Sequence, residues 1–420
     1  MGKTMAEKIL SSHAGKEVSA GEVAICEVDF CMSQDGTSQM VIEELNNLGA
    51  ERLFAGGKRY AMVIDHNAPS PLMAVSDIHA KMRKYCREKG CLLYDIGEGI
   101  CHGLMPERGH AIPGGLVIGA DSHTVTYGAV NCASTGMGST DVAAAVFTGK
   151  LWFRVPESMK FRLEGEWPVG VFSKDAMLHM VGDVGADGAT YLSAEYVGPA
   201  IAALDMDARF TISNMAVEMG AKFGLMEVDE KTIKWLKGRT RKRLHPVVSD
   251  EDAEYVDVRE YDVSKMVPLV ARPHRVDTVS PVEEVEGTPI QQGLVGTCTG
   301  GRLEDLRVTA EILKGKHVHP DCRLIINPTS KEHFLAGMKK RYVQTIIEAG
   351  GVFVTPGCGP CVGTHNGVPS SGETVITAAN RNFKGRMGNP NDVNIYLGSA
   401  ATVAASVLNA KITDPRRYLR

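Results

Sequence analysis

The chain has 420 residues, 44% of them hydrophobic and 23% charged, and a formal net charge of −4. That length predicts two to three domains, and the weak charge excludes a broad electrostatic drive toward nucleic acid or anionic membrane. No apolar run reaches the ~18 residues of a membrane-spanning helix, and the charged start from Met1 to Lys8 excludes a secretory signal, so a cytoplasmic location is expected. Ten cysteines are too sparse for a disulfide framework, and reduced thiols are expected.

In chain order, Tyr60–Ile64 reads as a short apolar strand ending in Asp65-His66, followed by helical periodicity from Met73 to Lys89. Cys91–Tyr94 reads as a second strand, running into Gly99-Ile100-Cys101-His102. Leu116–Ile118 is a third, running into Asp121-Ser122-His123. The Gly/Thr-rich stretch Ser134–Asp141 comes next, with a small-residue helix that ends near Lys150. Next come a strand-like Met159–Leu163 and helical segments around Thr211–Gly220. The basic run Lys237–Arg243 has no interleaved aromatics and is followed at once by acid, which predicts a solvated face rather than an RNA surface. Residues 271–289, rich in Pro, Val and acid, read as a linker. The last stretch predicts a strand at Gly293–Gly296, a helix at Leu303–Leu313, a strand at Arg323–Ile326, one helix over Lys331–Ala349 and a strand at Gly351–Val354. This alternation predicts an α/β protein: three α/β domains (1–150, 151–275 and 276–420) with mostly parallel sheets around a central cleft.

Reactive residues recur just after the C-terminal ends of these strands, where open α/β sheets bind ligands. Cys358-Gly359-Pro360-Cys361 alone fits a redox pair, half a zinc site or two-thirds of a cluster site. Cys298 is the other thiol on a Gly-rich loop. Three thiolates would hold three corners of a four-iron cluster and leave one iron open; the alternative is three unrelated buried thiols. Cys26, Cys31, Cys86, Cys91, Cys132 and Cys322 lie in no motif and read as packing.

Gly296-Thr297-Cys298-Thr299 followed by Pro356-Gly357-Cys358-Gly359-Pro360-Cys361 resembles the iron–sulfur signature of the aconitase superfamily. Asn380-Arg381-Asn382-Phe383-Lys384-Gly385-Arg386 is similar to its next motif. Asp65-His66, Gly99–His102, Ala120–Thr124 and Asn214–Glu218 match in the same order, so the resemblance covers nearly the whole chain. It is strongest to the large subunits of the two-chain branch, the 3-isopropylmalate dehydratases and homoaconitases. The resemblance implies an iron–sulfur hydro-lyase that isomerises a 2-hydroxy di- or tricarboxylate by dehydration and rehydration. 3-Isopropylmalate, an intermediate of leucine biosynthesis, is the first expected substrate; homocitrate, citramalate and 2,3-dimethylmalate are alternatives. A cluster-free RNA-binding protein or a structural metal protein is the alternative of another class.

By the same resemblance Cys298, Cys358 and Cys361 bind a [4Fe-4S] cluster with one labile, substrate-binding iron. Asp65, His66, His102, Asp121, His123 and Glu218 form the catalytic set, and Gln34, Ser122, Asn214, Asn380, Arg381 and Arg386 contact substrate. Asn214 and Glu218 are four apart, on one face of a helix. Permanently charged guanidinium forks suit carboxylate clamps. A separate small subunit, carrying the swivelling fourth domain, would complete a heterodimer or heterotetramer and supply the carbon base. Two positions depart from the family pattern: Gly300 stands where Asn is usual, and Gln34 where the two-chain dehydratases usually have His.

Overall fold

Short apolar runs become inner strands of parallel sheets when both of their faces are covered. The computed structural model, which describes residues 2–419, contains three mainly parallel sheets and one two-stranded antiparallel ribbon, Val23–Glu27 with Lys150–Arg154. The first sheet holds β1 (Phe30–Gln34), β2 (Tyr60–Val63), β3 (Leu92–Tyr94), β4 (Leu116–Gly119) and β5 (Ala133–Gly136) in the order β3-β2-β1-β4-β5. All neighbours are parallel. Helices α1 (Met73–Lys89) and α2 (Cys101–Glu107) lie in its connections, and α3 (Ser139–Thr148) follows β5. The central strand β1 escapes an apolar-run reading because Ser33 and Gln34 interrupt it. Inside the sheet the Ser33 hydroxyl is bonded to Ser38 (2.7 Å) and Tyr60 (2.5 Å), so burial leaves it satisfied. β5 overlaps the start of the Gly/Thr-rich stretch. Its residues are small and polar, and it is a strand by backbone pairing with β4, from Leu116 opposite Ala133 to Gly119 opposite Gly136.

The second sheet holds β6 (Ser158–Glu164), β7 (Ser193–Val197), β8 (Phe223–Met226) and β9 (Asp257–Asp262) in the order β8-β7-β6-β9, again all parallel. It carries helices α4 (Ser173–Val184) and α5 (Met206–Met215). The α-helix stops at Met215 and a 3₁₀ turn, Ala216–Met219, follows, so Asn214 and Glu218 do not share one α-helical face as the spacing predicts. In the basic run, Lys237, Arg241, Lys242 and Arg243 are exposed. Arg239 instead lies 4.1 Å over the Trp235 ring and donates to Glu332.

The third sheet holds β10 (Leu269–Ala271), β11 (Val279–Pro281), β12 (Gln292–Gly296), β13 (Arg323–Asn327), β14 (Gly351–Phe353), β15 (Thr374–Thr377) and β16 (Asn394–Leu397) in the order β11-β10-β16-β15-β12-β13-β14. The five strands from β16 to β14 are parallel, while β10 runs antiparallel to both of its neighbours. Residues 271–289 are therefore not a free linker: part of the stretch forms the antiparallel edge of this sheet. Helix α6 (Leu303–Leu313) follows β12 as expected. The single helix expected over Lys331–Ala349 is two, α7 (Lys331–Lys339) and α8 (Tyr342–Glu348). α7 buries His333 and Gly337, and α8 buries Val343 and Ile346. A continuous helix would carry Lys340 and Arg341 onto the buried stripe, and the chain turns at Arg341 (φ 63°) instead. Among the described residues no helix is long and apolar enough to cross a membrane.

Candidate active site

Parallel strands place their C-terminal ends on one edge, and the chain leaves each end in a loop. Gln34 ends β1, Asp65 and His66 follow β2, and Asp121 follows β4. Cys298 follows β12, Cys358 and Cys361 follow β14, and Asn380 and Arg381 follow β15. The two edges meet: the Cys358 amide donates to the Asp65 carbonyl at 2.8 Å. Glu218, from the second unit, joins them through His123 and Arg381.

Asp121 is the hub of the polar side. Its carboxylate lies 2.9 Å from His102 Nε2 and 3.3 Å from His66 Nε2, and it accepts from the His123 amide at 2.9 Å. The segment is a turn, not a strand: Asp121 caps the 3₁₀ helix Ser122–Val130, which keeps Asp121 and His123 on one side. Burial raises the Asp121 carboxyl, but His102, His123 and His66 outweigh it and hold the carboxyl well below the ordinary range. Burial lowers His66, but Asp65 (2.9 Å from its Nδ1) and Asp121 outweigh it, so its pKa lies well above 6.5 and the ring is an imidazolium. His102 goes the other way, lowered by burial despite Asp121. As a neutral ring donating from Nε2, it keeps a buried Nδ1 with no partner. One hub carboxylate thus touches a charged and a neutral imidazole.

On the arginine side, His123 Nε2 contacts Glu218 at 2.8 Å, and Glu218 accepts from Arg381 Nε at 2.9 Å. Arg381 Nη2 donates to Ser122 Oγ at 3.0 Å. Glu218 is lowered overall, because His123 and Arg381 outweigh its burial. Arg386 Nη2 donates to Cys361 Sγ at 3.1 Å and its Nε has no partner. Gln34 Nε2 lies 3.4 Å from Asp121, while its carbonyl accepts from the Gly36 amide.

Cys298, Cys358 and Cys361 are all buried. Polar groups surround the sulfurs. The Asn380 amide lies 3.7 Å from Cys298 Sγ and bonds Asn214. Asn214 also accepts from Thr299 Oγ1 at 3.0 Å and donates to Thr126 at 2.8 Å. The Cys361 thiol is held down by its bond to Cys358 and by Arg386, which favour a thiolate there. Gly359 (φ 59°) lets the loop approach Asn327, whose Oδ1 would sit 2.6 Å from any Cβ at this position. Thr297 takes φ 73°, an outlier for a β-branched residue, fixed by Thr329 Oγ1 donating to its carbonyl at 2.6 Å. Ligating groups gather within 4.8 Å in two places, Asp65-His66-Cys101 and His102-Asp121-His123. Cys298, Cys358 and Cys361 are not among those two groups. Three buried thiols on glycine-rich loops, with Arg386 and Asn380 beside two of the sulfurs, are a donor set that fits a cluster with three protein ligands.

All fifteen residues singled out by sequence lie in this one contact network. Asp35 was missed. It is buried at the end of β1 and accepts from the backbone of Asp65 (3.2 Å), His66 (2.7 Å) and Asn67 (2.8 Å), fixing the loop that carries the first Asp/His pair. The signal was its place after a strand, masked because β1 itself was not legible. Arg302 was also missed: fully buried, 4.4 Å over the Phe210 ring, it donates to the Cys298 carbonyl at 3.4 Å.

Residues 7–410 match the sequence profile of the aconitase family (aconitate hydratase). A 3-isopropylmalate dehydratase large subunit of Archaeoglobus fulgidus is 47% identical, and one of Methanopyrus kandleri is 45% identical; each match covers all of both chains. A probable methanogen homoaconitase large subunit of Methanothermobacter thermautotrophicus is 43% identical over 98% of this chain and 97% of its own length. Among solved structures, Thermococcus kodakaraensis aconitase X in its holo-form has a TM-score of 0.50 at 12% identity, covering 87% of this chain and 88% of that one, which speaks to the fold alone.

Proposed function

The chain belongs to the aconitase family, and we propose that it is the large subunit of an iron–sulfur hydro-lyase, with 3-isopropylmalate as the first substrate. One observation carries this reading. Three buried thiols, two arginines and a carboxylate hub with charged and neutral imidazoles converge at the facing edges of two parallel sheets. A structural zinc site or an RNA-binding surface has no use for that combination.

Cys298, Cys358 and Cys361 would hold a [4Fe-4S] cluster and leave one labile iron without a protein ligand. Bound there, the cluster supplies a Lewis acid for the substrate hydroxyl and one carboxylate. The chain's own residues do the rest. Arg381, aligned by Glu218 and Ser122, presents a rigid fork to a second carboxylate, and Arg386 adds charge beside Cys361. His66, held between Asp65 and Asp121, gives its proton to the departing hydroxyl and takes it back on rehydration. His102 Nδ1 offers a buried acceptor beside that exchange. His123 and Glu218 fix the hub and the arginine, Asn214 and Asn380 steady the Cys298 loop, and Gln34 and Ser122 offer neutral hydrogen bonds.

The proton on carbon is removed by a base from a separate small subunit, whose mobile fourth domain closes the cleft in a heterodimer or heterotetramer. Exposed apolar side chains in the site loops support such a partner. Leu72 and Met73, after His66, are 67% and 86% exposed, and Phe383, after Arg381, is 48% exposed. Residues 1–150, 151–275 and 276–420 would act as three units around the cleft of a cytoplasmic enzyme. A homoaconitase is the second reading, favoured by relatives of that name with equally full coverage. Iron and sulfide analysis of anaerobically purified chain, with an EPR spectrum after mild oxidation, is the test. About four of each per chain and a three-iron signal support the reading. Zinc, or no metal after reconstitution, sinks it. A panel of 3-isopropylmalate, homocitrate, citramalate and 2,3-dimethylmalate with the small subunit then separates the substrates.

A further inference from the structure

Beyond the residues of the site itself, one buried cation remains unexplained. Lys174, the second residue of α4, is 5% exposed. Its ammonium donates to the carbonyls of Ala379 (2.6 Å) and Ala378 (3.3 Å) and forms no ion pair among the described residues. These two carbonyls follow β15 directly, where the strand ladder has ended, and they directly precede Asn380 and Arg381. A buried backbone acceptor needs a donor, and here it comes from a different sheet unit. The same segment touches the cysteine loop: a side chain at Gly300 would collide with the Ala378 Cβ. Lys174, Thr299, Gly300, Asp305 and Ala378 together line a cavity of about 230 Å³ behind the site.

Burial without a carboxylate partner disfavours an ammonium and pulls Lys174 down to about 8. Glu218, Cys298, Asp305 and Cys361 oppose this pull, Glu218 most.

We propose that Lys174 is a positioning residue, bracing the Ala378–Ala379 turn and through it Asn380 and Arg381. The bracing itself does not depend on the cluster reading above; the roles of Asn380 and Arg381 that it serves do. Asn380 contacts Cys298 and Arg381 binds the substrate carboxylate, so a loosened turn is felt both at the sulfurs and at the carboxylate.

The test uses the full chain with Lys174→Met, which keeps the apolar stem, and Lys174→Arg, which keeps the charge and has the cavity to extend into. Two quantities are read well below the melting temperature: calorimetric affinity for isopropylsuccinate, the hydroxyl-free dicarboxylate, and the rate at which a chelator strips iron from reconstituted chain. Lys174→Met is expected to weaken the dicarboxylate and to speed iron loss, each by about tenfold, the scale of one lost charge-assisted hydrogen bond. Lys174→Arg is expected to recover most of both. A merely structural lysine would lower the melting temperature of Lys174→Met and leave both quantities at the wild-type value, which overturns the proposal. If wild-type chain takes up no iron and sulfide but binds the dicarboxylate, the cluster reading fails and the affinity decides the bracing role alone. A wild-type chain that takes neither overturns both.

Discussion

Gly300 shows how a single missing side chain can be forced by packing. The family pattern favours an amide there, yet a Cβ at this position would collide with Ala378 Cβ and stand 2.9 Å from the Ala378 carbonyl oxygen. The cysteine loop therefore lies against the Arg381 segment with no gap. Gly300→Ala is expected to destabilise the chain by about 1–3 kcal/mol, the usual cost of overpacking. Ala378→Gly in the same chain should return part of that loss, because it removes the colliding carbon and leaves the contact with the Ala378 carbonyl oxygen. Denaturant midpoints of the two variants and the double variant check this; equal midpoints for Gly300→Ala and wild type would refute the contact. Residue identity was legible in the sequence wherever chemistry is rare, as with Cys298, Arg381 and the Asp/His pairs. Asp35 and Arg302 were not, because an isolated acid or arginine has many ordinary uses and only burial shows that these two serve the site loops.

Elements were legible where an apolar pattern was uninterrupted. α1 and α6 match their expected bounds, and β2 and β4 match theirs to within a residue. β5, β1 and the break between α7 and α8 were not, since pairing partners and the direction of the core decide them. Arg341 at that break holds a left-handed conformation without a glycine. Arg341→Gly is expected to stabilise by about 1 kcal/mol, read from the denaturant midpoint, because the Cβ penalty disappears. α7 also carries a charged tie between units. His333 lies 3.2 Å from Glu107 on α2 and 3.4 Å from Asp207 on α5. Burial lowers His333, but Asp207 and Glu107 outweigh it and raise it to about 9. A pKa raised on folding gives stability that is fully present below about 6.5 and is lost as pH rises through 9. The loss should reach about 3 kcal/mol. Unfolding free energy measured from pH 6 to 10 should fall more steeply in wild type than in His333→Gln; parallel curves would remove the tie.

At the scale of the whole molecule, the site belongs to no single sheet. Asp121 and His66 come from the first, Glu218 from the second, and the cysteines and arginines from the third. The contacts His123–Glu218, Glu218–Arg381 and Cys358–Asp65 are all between units. A group bound by the three thiols therefore stabilises contacts on every side of the cleft, and binding to the folded state alone raises apparent stability by mass action. Anaerobic reconstitution with iron and sulfide should accordingly raise the melting temperature, and Cys361→Ser should abolish the rise, since loss of one corner weakens the hold on the cluster. The loaded chain by itself is nevertheless expected to bind isopropylsuccinate without turning over 3-isopropylmalate. In the proposed reading its arginines and proton-donating imidazole are in place and the carbon base comes from the small subunit, for which Leu72, Met73 and Phe383 lie exposed beside the site. Adding the separately purified small subunit should restore dehydration, and Met73→Asp on the exposed rim should weaken that restoration while leaving the iron content unchanged. Turnover by the loaded chain alone would place the base within these 420 residues and remove the need for a partner.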